Sequence, residues 1–187
     1  NKPMLKPLPS SRWDYTTAAH LLNRAGFGGP PGQIEKLVDM GPAKAVDHFV
    51  NFDKEDEHFP APEWAYPDPS LYEDMSTCRR TLAEEQRKAR DLPEKEKEAV
   101  LERLDRERRR RFTQARRRQV QQLNELRGWW MRRMSTGTRP LQEKLTLFWH
   151  GHFATSAQKV RDPYFMWLQN DTFRTNALGD WQTMLEE

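Results

Sequence analysis

Apolar residues recur along most of this chain at helical spacing, and prolines and glycines mark where each run starts and stops. Asp14 stands before Ala18, Leu21, Leu22 and Ala25, and Gly26 follows them, so the pattern predicts a capped helix from Asp14 to about Arg24. Gly26-Phe27-Gly28-Gly29-Pro30-Pro31-Gly32 reads as a turn. A short helix is expected over 33–40, stopped by Gly41, and Pro42 starts another through Ala45, Val46, Phe49 and Val50. Four prolines between Asn51 and Ser70 break any period, which predicts an extended crossing tacked to the body by Trp64 and Tyr66. Regular structure resumes near Leu71.

From Pro93 to about Met134 no further proline occurs and Gly128 is the one glycine. Leu101, Leu104, Phe112, Ala115, Leu123, Leu126, Trp130 and Met134 lie near one seam of a helix that would span roughly 60 Å, more than the width of a compact domain of this length. Its first half, where Arg108 and Gln119 interrupt the seam, should project or pack on another protein surface, and 79–118 reads as a helical excursion. Glu102/Arg106, Asp105/Arg109 and Glu107/Arg111 fall at i,i+4 with the acid first, the order that stabilises an exposed helix.

Pro140 suits a first helical position, and Leu141, Leu145, Phe148 and His152 follow on one face, the face expected to be buried. Gly151 is a poor interior residue and a good terminator. If the helix stops there, His150 and His152 can turn the same way and form a pair of metal ligands. If it continues, the two lie about 200° apart and cannot chelate one ion. Asp162-Pro163 opens a helix through Phe165, Trp167, Leu168 and Phe173, with Gln169, Asn170 and Arg174 as polar positions that would approach the histidines. Residues 177–187 read as the opening of one more helix. The fold class expected is all-α: an irregular multi-helix domain over 1–187 with a Pro-rich crossing at 51–75 and one long, coiled-coil-like charged excursion at 79–134 as insertions.

Composition sharpens this picture. The chain is 36% hydrophobic and 32% charged, thin for a core, so part of it should lie outside one. The net +3 is uneven: 79–118 carries 16 Lys/Arg against 9 Asp/Glu, a local +7 that leaves −4 elsewhere. No apolar run approaches the length of a membrane span, none near Asn1 resembles a signal peptide, and a single cysteine, Cys78, cannot form an internal disulfide.

The candidate polar site collects His150, His152, Glu143, His20, Arg24, Asn170 and Arg174. His150 shares a helical face with Glu143, Thr146 and Leu147, so a carboxylate one or two turns back would orient or charge it. Against a divalent metal on His150 and His152 stands a plainer reading of two core-edge histidines bonded to backbone carbonyls. His20 and Arg24, one turn apart, are read against a solvated helix edge. The glycine-rich turn follows a helix and lacks phosphate-loop spacing, which excludes nucleotide binding. Ser156-Ala157-Gln158-Lys159 lacks the companion motifs of penicillin-recognising enzymes. Three functional classes follow: assembly or binding to a protein partner along the charged helix, metal-assisted catalysis around the histidines, and nucleic-acid binding through Arg108, Arg109, Arg110, Arg111, Arg116, Arg117 and Arg118. Interleaved acids and missing aromatic stacking partners weigh against the last.

Leu-Gln-Glu-Lys-Leu-Thr-Leu-Phe-Trp-His-Gly-His-Phe-Ala-Thr-Ser at 141–156 and Ala-Ala-His-Leu-Leu-Asn-Arg-Ala-Gly-Phe-Gly at 18–28 resemble, in the same order, two motifs of the bacterial family called domain of unknown function 1800. The resemblance implies a mainly helical protein of a kind often exported and typically much longer, so that this chain matches its N-terminal part. It implies no defined activity.

Overall fold

Helix-forming runs separated by proline and glycine fold as helices. A computed structural model describes residues 6–51, 59–67, 69–153, 155–160 and 162–186, and among these there are eight α-helices and no strand. They are α1 (Tyr15–Ala25), α2 (Pro31–Val50), α3 (Pro69–Lys88), α4 (Glu94–Thr136), α5 (Pro140–Phe153), α6 (Ala157–Val160), α7 (Pro163–Thr175) and α8 (Trp181–Glu186).

Asp14 caps α1 through its carboxylate, which accepts from Thr17 N–H at 2.8 Å, while the Thr17 hydroxyl accepts from Asp14 N–H at 2.8 Å. Two otherwise unpaired donors are satisfied reciprocally. α2 runs through both predicted helices and breaks at Gly41, whose φ of 75° and ψ of 165° are open to glycine almost alone. Pro42 has no N–H to give Val38 four residues back. The Trp13 indole N–H supplies the lost donor, reaching the carbonyls of Leu37 and Val38 at 3.2 Å each. Ala18, Leu22, Ala25, Leu37, Ala45 and Phe49 bury together between α1 and α2. Ala45 and Phe49 face this core, while Val46 and Val50 on the same helix are exposed.

Lys144 on α5 joins this pair to the rest. Its ammonium donates to the carbonyls of Gly26 at 2.9 Å and Asn23 at 3.3 Å, the free acceptors at the end of α1. Beyond α2, the described part of the crossing is irregular. Trp64 pins it by donating to Glu125 Oε2 at 2.8 Å, and Trp129 donates to Pro60 O at 2.9 Å. Tyr66 does not take part: it is exposed, and Ala65 beside it is the residue that buries.

α4 is one helix of 43 residues, about 65 Å long. Its first half packs on α3, with Leu104 buried and Arg103 paired to Glu85 at 2.9 Å, so the charged region is an antiparallel helical hairpin. Phe112, placed in the seam by spacing, stands exposed. The second half meets α5 and α7, burying Leu126, Trp129 and Arg133 at i, i+3 and i+7. Asp162 caps α7 by accepting from Tyr164 N–H at 2.9 Å, and Pro163 takes its first position as expected. No described helix is long and apolar enough to cross a membrane.

Candidate functional site

α5 continues through Gly151 to Phe153, and this decides the geometry of both histidines. The face it buries carries Glu143 and Thr146 with His150 beside them, not the Leu145, Phe148, His152 face expected from spacing. Phe148 and His152 are exposed, the latter against Trp149 and Trp181. α5 is rotated this way because α4 and α7 each offer an arginine to Glu143. Keeping a buried carboxylate fully partnered outweighs burying the exposed Phe148 ring and the imidazole of His152.

Glu143 is 1% exposed. Its Oε1 accepts from Arg133 Nε at 2.9 Å and Arg174 Nε at 2.8 Å; its Oε2 accepts from Trp130 Nε1 at 2.8 Å and Arg174 Nη2 at 3.3 Å. Three helices therefore converge on one carboxylate whose acceptor positions are all used. Burial alone would raise its pKa, but the hydrogen bonds and charge of Arg174, then those of Arg133, hold it below the usual carboxylate range. The Trp129 ring lies 5.2 Å from the Arg133 guanidinium and 4.8 Å from that of Arg174, and its π face attracts both cations. Removing the carboxylate would strand two buried cations, at a cost of about 3–5 kcal/mol.

The network runs on to the histidine. Arg174 Nη2 donates to Asn170 Oδ1, which fixes the amide so that its Nδ2 faces His150 Nε2 at 3.0 Å. An amide N–H needs an acceptor, so the ring is neutral with its proton on Nδ1. Burial, and then the positive charge of Arg174, lower the His150 pKa from 6.5 to about 4. Trp130 and Phe173 flank the ring at 4.8 and 4.9 Å.

Of the residues singled out in the sequence, Glu143, His150, Asn170 and Arg174 come together. His152 leaves the opposite side of the helix, so the two imidazoles do not share an ion; no group of three His, Cys, Asp or Glu suited to a metal occurs among the described residues. His20 and Arg24 are exposed on α1, with no described hydrogen bond, ion pair or ring contact to this network. Arg108 and Arg109 pair with Asp105, and Arg111 with Glu107, while Arg110, Arg116, Arg117 and Arg118 have no ion pair among the described residues. Sequence reading missed Arg133 and Trp130 as partners of Glu143. The available signal was an arginine placed four residues after Trp129 and seven after Leu126, on the apolar stripe itself rather than on the solvated face.

A helical protein organised on a buried Arg–Glu–Arg junction is the class these features define. Within it, the chain belongs to the family described as Protein of unknown function (DUF1800), whose model matches residues 20–187. No curated protein and no solved structure matches the chain.

Proposed function

We propose that the chain is a binding module, a helical scaffold that takes a protein partner along α4. The observation that carries this reading is an open groove of about 920 Å³ on α4, with Phe112, Arg116, Arg117, Val120, Gly128 and Arg132 in its lining. Phe112 is 62% exposed and Val120 50%, an unusual amount of apolar surface on so charged a helix. Phe112, Arg116, Val120, Gly128 and Arg132 follow one i+4 ridge of the helix over roughly 30 Å, the length of a 20-residue partner helix. Gly128 lets a backbone approach closely, and the flanking arginines favour acidic side chains. The partner this surface fits is an amphipathic helix with an apolar stripe edged by Asp or Glu. The Glu143 junction supports the reading from behind: with its carboxylate saturated and its histidine held neutral, it holds α4 against α5 and α7.

Fluorescence anisotropy tests this with two labelled amphipathic peptides that share an apolar face, one edged with Glu and one with Lys. The acidic peptide should bind at micromolar concentration, and Phe112→Glu with Val120→Glu should abolish binding without changing the melt. Equal binding of both peptides would sink the proposal. So would tighter binding of duplex DNA that weakens steeply with salt, which would give the arginines to phosphates.

A further inference from the structure

A second cavity lies behind the junction, between α4, α5 and α7 and the described end of the crossing. Its volume is about 300 Å³, at the small end of ligand sites, with Phe59, Trp129, Gln142, Trp167, Asp171 and Arg174 in its lining. Trp167, Asp171 and Arg174 stand at i, i+4 and i+7, one face of α7.

Polar atoms on these walls lack the partners that burial demands. Arg174 is nine-tenths buried, and its Nε and Nη2 are engaged by Glu143 and Asn170. Its Nη1 makes no hydrogen bond, lying 3.6 Å from Asp171 Oδ1. The indole N–H of Trp167 is likewise buried and unpaired. Gln142 Nε2 donates to the Arg174 carbonyl at 3.0 Å, and since a carbonyl can only accept, the orientation of the amide is settled. Gln142 Oε1 is left as a buried acceptor without a donor. Leaving such groups unsatisfied is costly, and native proteins seldom do so without a reason.

Two donors, one acceptor and aromatic walls define a complement. We propose that this cavity binds a small, flat hydroxycarboxylate: its carboxylate accepts from Arg174 Nη1 and Trp167 Nε1, its hydroxyl donates to Gln142 Oε1, and its body lies among Phe59, Trp129 and Trp167. The aromatic rings give such a ligand its apolar contact, and the guanidinium gives it its charge preference. This site is independent of the α4 groove and stands or falls without it.

Isothermal titration of the whole chain with 4-hydroxybenzoate, benzoate and inorganic phosphate tests the assignment. 4-Hydroxybenzoate should bind at one saturable site, and benzoate, which lacks the donor for Gln142, about 10-fold more weakly. Trp167→Phe keeps an aromatic wall and removes the N–H, so affinity should fall about 10-fold. Asp171→Asn, at a half-exposed position that makes no bond to Glu143, removes a negative charge from the wall beside Arg174 Nη1 and should tighten binding, with no change for a neutral phenol. It keeps the question open to experiment even where Trp167→Phe destabilises the chain. Absence of saturable binding overturns the proposal. Phosphate binding more tightly than either carboxylate, or affinity indifferent to both substitutions, overturns it equally.

Discussion

Asn170 determines the chemistry of His150. Its Oδ1 is engaged by Arg174, so only its N–H2 is left to face the ring, and protonating Nε2 would set donor against donor. The stability consequence has a definite sign. The ring titrates near 6.5 when unfolded and near 4 when folded, so the unfolded chain binds the extra proton first. Stability is therefore complete above about pH 6.5 and declines as pH falls toward 4, where the folded ring also protonates. Glu143 adds a separate limb: its folded pKa is lowered from 4.5, so its contribution is lost only as pH falls below that value. Chemical denaturation between pH 6.5 and pH 5 should show the decline in the parent chain and not in His150→Phe; the same slope in both would assign it to other groups. The burial expected from spacing is thus reversed, with His150 half-buried and His152 exposed. The polar members of the junction on α5 and α7 were legible as residues, since Glu143 and His150 share a helical face and Asn170 and Arg174 lie one turn apart. Their depth was not, because a carboxylate enters a core only when cations on other helices meet it, and local spacing carries no record of those.

At the scale of elements, caps and breaks follow local rules and were readable. Asp14, Gly26, Gly41, Pro42, Asp162 and Pro163 sit where the sequence puts them: the aspartates because their carboxylates satisfy unpaired N–H groups, Gly41 because it reaches a positive φ, and the prolines because a first helical turn needs no N–H from them. Gly151 was the ambiguous one. A terminating glycine is useful because it reaches positive φ, whereas Gly151 stays inside the helical run of α5 and tertiary contacts of its neighbours carry the helix past it. The same substitution should therefore have opposite signs at two glycines. Gly151→Ala meets no atom within 4 Å and restricts the unfolded chain, so it should stabilise by about 0.5–1 kcal/mol. Gly41→Ala also finds open space, but at φ 75° an alanine is strained, and the cost should be about 1–3 kcal/mol. Thermal melts of the two variants check this; a gain at Gly41 would mean that α2 straightens and the Trp13 contacts to Leu37 and Val38 are dispensable.

At the scale of the whole molecule, what matters is which parts need one another. α5 touches α1, α2, α4 and α7, and the saturated carboxylate of Glu143 ties it to two of them, α4 and α7. α3 and the first half of α4 pack chiefly on each other, through buried Leu104 and Ala89 and the Arg103 pair with Glu85. The i,i+4 pairs of Glu102 with Arg106 at 3.2 Å and Glu107 with Arg111 at 2.6 Å stabilise that stretch within itself, weakly because water screens them. We therefore expect the hairpin to be an excursion that the rest of the fold does without. Cys78 on α3 lies beside Arg111 on α4, so the two arms pass side by side there. Removing 79–110 and joining the arms with a short glycine-serine linker should preserve Arg133, Glu143 and Arg174 in their places and leave a cooperative melt, because loop closure over a short linker costs little. The shortened chain should also keep the pH dependence owed to His150 while the groove residues from Phe112 onward remain on α4. Circular dichroism melts of the parent and shortened chains, run at pH 7 and pH 5, read both properties together. A broad, non-cooperative transition after the deletion would show instead that the hairpin belongs to the core, and that the second half of α4 depends on the first for its position against Glu143.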